Sequence, residues 1–584
     1  MDESDTESSG CSDALEGDKL VIGLDFGTTF SGIAYAFSND PEKIYSITNW
    51  PGGEDRIVPK APTALRYTKD STSEFQWGYE LEGSLEDKIT GLKLLLDPEQ
   101  RRPYFIPTNI PAELAKLPKS TLDVATDYLR ALYDHAMAEV KGEYLDREFL
   151  ENYQQQFVLT VPAVWSDKAK DMTLRAARAA GISPVEMITE PEAAALYTIL
   201  SVKNKGLKVR DAIVICDAGG GTVDLVSYEI MSLNPFELKA LTAPSGGVCG
   251  SLMLNKLFED EVHKVVGDDA YVTLKKTEAY RSALRDFDST IKLAFRGKTD
   301  TDKYVSFPLA KLQDNKPMGL ERDSLTLSGG TLFRIFDPII REIDKLVTEQ
   351  VTSVRMERLQ LGNTAGASVK AIFLVGGFGS SAYLKDVIEK SNPGVLVVQP
   401  KEAWSAIVKG PVMSKLGIGP TVTSTRAAKH YGTSCHSTWR PIRDRGFAKI
   451  HDDLDDEDKC IIMSWFISKN DDLSREKKIQ LSFYRKWKGK NPTGAKMKVT
   501  DELFECSDPV APVHPSDDVN INCRLKTDLS QVPKSAFIFQ KRPRDGLEYF
   551  ELHYELQIEN NPSGLMKFSL LVNDEEYSAV EATY

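Results

Sequence analysis

A short apolar run that ends on an aspartate occurs twice along the chain. Residues 20–25 form the first run, which ends on Asp25, and residues 212–217 form the second, which ends on Asp217. Each run is followed by a turn of glycine and threonine and then by another apolar run. This pattern predicts two buried β-hairpins. Because they begin about 190 residues apart, we expect a duplicated domain with two lobes.

Around these hairpins, apolar positions follow helical spacing in some segments and form short continuous runs in others. The predicted helices cover residues 121–141 and 167–180 and begin again at Pro191 and at Asp337-Pro338, and the predicted strands cover residues 156–161 and 371–375. Ser166 is the expected N-cap of the second helix. Strands that alternate with helices predict an α/β fold.

The character of the sequence changes after about residue 433. Alternating segments rich in aromatic and β-branched residues cover residues 479–487, 536–540, 547–558 and 565–573. They predict a β-rich domain. We therefore expect an acidic, disordered tail over residues 1–18, an α/β domain over 19–433, a linker over 434–460 and the β-rich domain over 461–584.

Composition narrows the classes of partner. The formal net charge of −14 disfavours nucleic acid and anionic lipid as partners. The sequence contains no run of about 18 apolar residues, so no membrane span is predicted. The acidic N-terminus lacks the basic start of a secretory signal. The 7 cysteines are scattered, without a zinc-type cluster, and suit a reducing compartment. These features predict a cytoplasmic protein, with the nucleus as the alternative location.

The two hairpin turns carry residue types that bind phosphate. They are Gly27-Thr28-Thr29 and Gly219-Gly220-Gly221-Thr222. Glycine lets backbone amides approach a phosphate group, and threonine adds a hydroxyl. Since Mg²⁺ prefers oxygen ligands and keeps several waters, Asp25 and Asp217 could hold those waters if the turns face each other. A single glycine-rich turn is more often only a loop, but a third turn, Gly376-Gly377, favours a nucleotide site.

A series of motifs follows in a fixed order over residues 19–433. The motifs are residues 22–29, 161–163, 190–195, 216–224, 331–333 with 337–338, and 374–377. This order resembles the 70-kilodalton heat-shock chaperones, the Hsp70 family of the actin-like ATPase superfamily. The resemblance implies a two-lobed actin-like (ribonuclease H-like) nucleotide-binding domain followed by a smaller β-rich domain. It also implies ATP or ADP with Mg²⁺ as cofactors, and protein clients as partners.

The same resemblance implies roles for particular residues. Asp25 and Asp217 would order the waters of Mg²⁺, and Glu190 and Asp217 would orient or polarise the attacking water. Lys93 matches the phosphate-side lysine; its alternative is a solvated lysine on a helix. Lys292 would cover the base; its alternative is an ordinary surface lysine. The other implied ligand-binding residues are Gly27, Thr28, Thr29, Gly219, Gly220, Gly221 and Thr222 for the phosphates, and Gly376 and Gly377 for the adenosine.

The sequence departs from the usual Hsp70 pattern in several places. Phe378-Gly379-Ser380 follows the double glycine without the usual arginine, and Trp404 opens the stretch where an acidic residue is usual. No apolar, acid-ended linker is visible, and the 150 or so residues after residue 433 leave no room for a long helical lid. These features resemble the divergent, lidless branch typified by heat shock protein 70 member 12.

Two functions are consistent with these features, and a third is less supported. The first is a slow Mg²⁺-dependent ATP hydrolase with chaperone-like protein binding. The alternative is a nucleotide-gated interaction scaffold with little turnover. A sugar kinase on the same fold would need an acceptor site, and no sequence feature places one.

Overall fold

The fold is taken from a computed structural model of the chain. It describes residues 17–584 except 54–55, 69–70, 72, 83–87, 98–113, 116, 144–152, 203–205, 363–367, 401, 403, 475–477 and 561–564. The predicted acidic tail over residues 1–18 therefore lies almost wholly outside the described residues.

The first lobe is built on a mixed sheet, the first-lobe sheet, with strand order β3-β2-β1-β8-β9 and β4 paired to β2. Its strands are β1 (Lys19–Asp25), β2 (Phe30–Phe37), β3 (Tyr45–Ser46), β4 (Ala61–Pro62), β8 (Gln154–Val161) and β9 (Val185–Thr189). A small sheet beside it contains β5 (Ala64–Tyr67), β6 (Phe75–Trp77) and β7 (Ile89–Thr90). Strands β1 and β8 run parallel, as expected of apolar runs buried on both faces.

The second lobe repeats this plan in the second-lobe sheet, with strand order β17-β16-β10-β11-β12-β18-β22. Its strands are β10 (Ala212–Ala218), β11 (Val223–Leu233), β12 (Phe236–Gly247), β16 (Val369–Val375), β17 (Leu396–Val398), β18 (Thr421–Arg426) and β22 (Asp472–Ser474). A small sheet of β13 (Lys303–Ser306), β14 (Leu320–Glu321) and β15 (Ser324–Leu327) accompanies it. Both predicted hairpins are confirmed, because β1 pairs with β2 and β10 with β11 in antiparallel register.

Helices cover the faces of both sheets. They are α1 (Thr121–Glu143), α2 (Asp167–Ala179), α3 (Glu190–Val202), α4 (Leu252–Val266), α5 (Asp268–Leu274), α6 (Glu278–Asp286), α7 (Lys292–Ala294), α8 (Gly329–Gln360), α9 (Ala382–Ser391) and α10 (Ala406–Leu416). The N-cap prediction is confirmed, since the Ser166 hydroxyl accepts a hydrogen bond from the Ala169 amide. Within the described residues, no helix is both long and apolar enough to cross a membrane.

The predicted start of a helix at Asp337-Pro338 is wrong. Helix α8 begins at Gly329, where the Ser328 hydroxyl caps the Thr331 amide, and Pro338 lies inside the helix. An interior proline removes one backbone hydrogen bond and kinks or breaks many helices. Here the buried apolar face of α8, which includes Leu332, Phe336 and Ile343, holds the helix together across the proline.

The C-terminal region is β-rich, as predicted. Its principal sheet, the C-terminal sheet, has strand order β20-β21-β19-β24-β25-β29-β28-β27-β23 with β26 paired to β27. The strands are β19 (His430–Thr438), β20 (Ile450–Asp452), β21 (Glu457–Ile467), β23 (Ile479–Lys488), β24 (Lys498–Cys506), β25 (Val519–Asp528), β26 (Ile538–Lys541), β27 (Glu548–Asn560), β28 (Met566–Val572) and β29 (Glu575–Thr583).

Residues 434–460 do not form the expected linker. They contain most of β19, all of β20 and the start of β21, which pair with one another. The acidic run folds into a tight turn because Lys459 forms ion pairs with Asp452, at 2.8 Å, and with Asp455. These ion pairs neutralise two of the aspartates in the acidic run, whose charge had favoured a solvated linker. The division of the chain into domains over 19–433 and 461–584 stays a prediction.

The C-terminal region contacts both lobes of the α/β region. Strand β22 pairs with β18 at the edge of the second-lobe sheet. In addition, the Asn522 side-chain amide donates to the Asp167 carboxylate at 2.8 Å, and the Tyr431 hydroxyl donates to it at 3.3 Å. Asp167 is the first residue of α2, so a first-lobe helix is hydrogen-bonded to the C-terminal sheet.

Candidate nucleotide site

The two predicted phosphate turns, one from each lobe, lie against each other. A Cβ atom added at Gly220 would lie 2.4 Å from Thr29 Oγ1, and one at Gly221 would lie 2.8 Å from Thr28 Cγ2. Side chains at these two glycines would therefore collide with the opposite turn. The sequence left open whether the two turns meet, and in the fold they do.

Four buried carboxylates lie together at this meeting point, three of them on strands and one on a helix. Asp25 ends β1, and Asp217 lies opposite Asp224 in the β10–β11 register. Glu190 is the first residue of α3. All four side chains are buried. Asp224 accepts a hydrogen bond from the Val164 amide at 3.2 Å.

Two lysines enter the same acidic cluster. Lys93 forms an ion pair with Glu190, and its Nζ lies 5.3 Å from the centroid of the Trp165 ring. Lys60 Nζ lies 2.5 Å from Asp25 Oδ2, while the Thr160 hydroxyl donates to Asp25 Oδ1 at 3.1 Å. Lys93 is only 2% exposed, so the alternative reading of it as a solvated lysine is wrong.

Burial raises the pKa values of three of these carboxylates, those of Glu190, Asp217 and Asp224. Burial raises the pKa of Glu190 to about 7, although the charge of Lys93 opposes that shift. Burial, followed by the charges of Glu190, Asp224 and Asp25, raises the pKa of Asp217 well above its usual range. Burial also raises the pKa of Asp224. The cluster therefore resists full ionisation unless a cation is added.

The residues fit a hydrated magnesium ion. Four carboxylates and two ammonium groups leave a formal excess of two negative charges. Asp217 Oδ1 is buried and accepts no hydrogen bond from any group in the described part of the chain. Such an oxygen costs free energy while it lacks a partner. Mg²⁺ with its water shell supplies the charge and the donors that are missing here.

The third turn lies beside Asp217. Gly376 has a φ of +77°, and a Cβ atom there would lie 2.3 Å from Asp217 Oδ1, whereas a Cβ at Gly377 would meet nothing within 4 Å. Parallel pairing of β10 with β16 places Val375 opposite Asp217. The fold thus brings together the three turns that the sequence singled out.

Lys292, unlike Lys93 and Lys60, forms its ion pair outside the acidic cluster. It is 5% exposed, so it is not an ordinary surface lysine. Its ammonium group forms an ion pair with Asp288 and lies 5.9 Å from the centroid of the Phe287 ring. Burial lowers its pKa. Among the contacts of the described residues, none joins Lys292 to the three turns.

Sequence reasoning missed two members of the cluster. Asp224 stands in the quoted motif over residues 216–224, and antiparallel pairing across a tight turn could have placed it opposite Asp217. Lys60 lies in a loop just before β4, and no spacing connects it to Asp25. Only the fold brings Lys60 into the site.

A second buried polar cluster lies in the C-terminal region. Its members are Asp444, Cys460 and His514. The Asp444 carboxylate accepts hydrogen bonds from Arg443 Nε at 2.6 Å and from the Arg440 amide at 2.7 Å, and it pairs with His514 Nε2 at 2.8 Å. Because protein nitrogens already surround Asp444, this cluster is an ion-pair network that fixes the turn after β19.

We expect Glu190 to make the nucleotide-free protein less stable as the pH rises from about 4.5 to about 7. Its pKa is raised by folding, so the unfolded chain loses this proton first and gains stability relative to the folded state. Relative to Glu190→Gln, the wild-type free energy of unfolding should fall by up to about 3 kcal/mol across this window. Denaturant unfolding of both proteins at several pH values measures the difference, and parallel profiles would contradict the expectation.

Comparison with known proteins identifies the family of the α/β region. Residues 128–390 match the protein family described as Hsp70 protein. This chain contains an Hsp70 domain. Its α/β region has the actin-like ATPase fold of that family, and the resemblance stated from the motifs is confirmed. The C-terminal sheet follows the Hsp70 domain in the chain.

Individual relatives of the chain agree with this family match. The chain is 26% identical over 515 residues to heat shock 70 kDa protein 12B of Homo sapiens, and this alignment covers 73% of the chain and 72% of the relative. Human heat shock 70 kDa protein 12A is 24% identical over 500 residues, 70% of each chain. The chaperone protein DnaK of Stenotrophomonas maltophilia is 26% identical over 378 residues, 61% of this chain and 53% of the relative.

Proposed function

We propose that this Hsp70-related chain binds ATP with Mg²⁺ between its lobes and hydrolyses it slowly. The observation that carries the proposal is the buried acidic cluster at the point where two glycine-threonine turns meet. In this proposal the backbone amides and hydroxyls of Gly27–Thr29 and Gly219–Thr222 hold the phosphates. Gly376 and Gly377 flank the adenosine, and Lys292 lies near the base. Mg²⁺ would neutralise phosphate charge, with Asp25 and Asp217 binding its waters.

In the proposed reaction, water attacks the γ-phosphorus of ATP and the bond to the β–γ bridging oxygen breaks, which gives ADP and phosphate. Glu190 is suited to accept a proton from that water, since a general base works best with a pKa near the working pH. Lys93 holds the Glu190 carboxylate in place through their ion pair. Phosphoryl transfer depends mostly on such positioning and on charge stabilisation.

A nucleotide-gated scaffold with little turnover is the second candidate. It is favoured by the hydrogen bonds of Asn522 and Tyr431 to Asp167 and by the pairing of β22 with β18. These contacts connect the C-terminal region to both lobes, so a change in the relative position of the lobes would shift that region. A cleft of about 1030 Å³ between β19, β21, β23 and β24 is our candidate surface for protein clients in either case.

We propose the cytoplasm as the location, with the nucleus as the alternative. All cysteines in the described residues are free thiols, and most of them are buried. Free thiols are typical of a reducing compartment.

Asp217→Asn tests the proposed site. The substitution removes one charge from a crowded cluster, so the nucleotide-free protein should become more stable by about 1 kcal/mol. The same change removes a ligand for the metal waters, so affinity for Mg²⁺-ATP should fall by about 3–10-fold. Chemical unfolding and calorimetric ATP titration measure the two effects.

The matched control for this test is Asp386→Asn, which alters an exposed aspartate on α9 that pairs with Lys390. It should change neither quantity appreciably. Asp217→Asn with unchanged Mg²⁺-ATP affinity would contradict the proposed role of Asp217.

A further inference from the structure

Lys60 reaches Asp25 through a space built for it. Its side chain is 15% exposed and its Nζ lies 2.5 Å from Asp25 Oδ2. Gly32 lies opposite Asp25 in the β1–β2 register, and a Cβ atom there would lie 2.9 Å from Lys60 Cγ and 2.8 Å from the Pro59 carbonyl oxygen. The missing side chain at Gly32 therefore makes room for the aliphatic stem of Lys60.

The backbone of Lys60 is also held. The Tyr79 hydroxyl donates to the Lys60 carbonyl oxygen at 3.1 Å, and β4 begins at the next residue and pairs with β2. A lysine side chain loses considerable conformational entropy when it is fixed. Because the backbone and the aliphatic part of Lys60 are already fixed, less conformational entropy is lost when its ammonium group pairs with Asp25.

The charge of Lys60 acts on more than one carboxylate. Burial and the neighbouring carboxylates raise the pKa of Asp217, whereas Lys60 lowers it. Lys60 therefore lies within electrostatic range of both aspartates that we assign to the metal waters. A protein ammonium group at this place supplies positive charge that a hydrated divalent cation would otherwise have to supply alone.

We propose that Lys60 is a resident cation of the phosphate site, which lets the chain bind ATP with only partial dependence on magnesium. The proposal rests on the proposed ATP site and adds a property to it. Without the metal, Lys60 reduces the repulsion between the acidic cluster and the phosphates. With the metal, it already occupies one oxygen of Asp25, so the additional gain from Mg²⁺ is smaller.

The test compares ATP affinity in excess Mg²⁺ with ATP affinity in excess EDTA for each protein. For the wild type, the two dissociation constants should differ by less than about tenfold. For Lys60→Met, the ratio should grow by at least about tenfold, since one charge close to the phosphates is lost. Lys60→Arg keeps the charge and should restore a ratio near that of the wild type.

Lys415→Met is the matched control, because Lys415 pairs with Glu186 at 2.5 Å on the surface, away from the turns. Its ratio should equal that of the wild type. Each ratio is measured within one protein, so a smaller folded fraction in a variant cancels out. A purely structural role for Lys60 would lower both affinities equally and leave the ratio unchanged.

Three results would overturn the inference, in two different ways. If wild type and Lys60→Met both bind Mg²⁺-ATP and show the same ratio, or if EDTA abolishes wild-type binding, the role of Lys60 is wrong while the proposed ATP site stands. If the wild type binds ATP in neither condition, the proposed function fails and this inference fails with it.

Discussion

Gly376→Ala should lower the free energy of unfolding by about 2–4 kcal/mol and weaken ATP binding by at least about tenfold. Gly376 has a φ of +77°, and the new Cβ would lie 2.3 Å from Asp217 Oδ1 and 2.5 Å from the Ala218 carbonyl oxygen. Relief of this clash requires movement of the Asp217 carboxylate or of the backbone where the turn at Gly376 meets the second phosphate turn. Chemical unfolding and calorimetric ATP titration measure the two losses.

Gly377→Ala provides a control one residue away. Gly377 has a φ of −62°, and a Cβ atom there meets nothing within 4 Å. Alanine at such a position should change stability by less than about 1 kcal/mol. Equal effects of the two substitutions would show that the contact between Gly376 and Asp217 does not govern the site.

Glu190→Gln should reduce single-turnover phosphate release by about 10²–10⁴-fold, since glutamine cannot accept the proton of the attacking water. Affinity for ATP should change little, because in our proposal Glu190 acts on the water rather than on the phosphates. Single-turnover hydrolysis of labelled ATP measures the first quantity and equilibrium binding the second.

Glu186→Gln is the control for this substitution, as Glu186 is an exposed residue of β9 that pairs with Lys415. It should leave phosphate release unchanged. If Glu190→Gln releases phosphate at the wild-type rate, Glu190 is not the base. If the wild type itself binds ATP but releases no phosphate, the nucleotide-gated scaffold is the better account.

Local sequence patterns were enough to predict the two hairpins, whereas they left open whether the two turns meet. Continuous apolar runs ending at Asp25 and Asp217 leave few structures other than buried strands, and duplication of the unit predicted two lobes. The Ser166 N-cap was also predictable from local sequence, because a hydroxyl just before a helical pattern accepts a hydrogen bond from a free backbone amide.

Other features depended on contacts between distant segments. Pro338 usually indicates a helix boundary, yet the buried face of α8 continues through it. The acidic run over residues 451–459 looked solvated, but Lys459 pairs with its aspartates. Lys60 joins Asp25 across 35 residues because of the space at Gly32, and no local periodicity records such a pairing.

Calorimetric titration of the wild-type protein with ATP in excess Mg²⁺ tests the central claim most directly. We predict saturable binding of one ATP molecule per chain, with a clear loss of affinity in Asp217→Asn. Absence of binding by a folded wild-type protein, even at millimolar ATP, would contradict the assignment of a nucleotide site to the meeting point of the two turns.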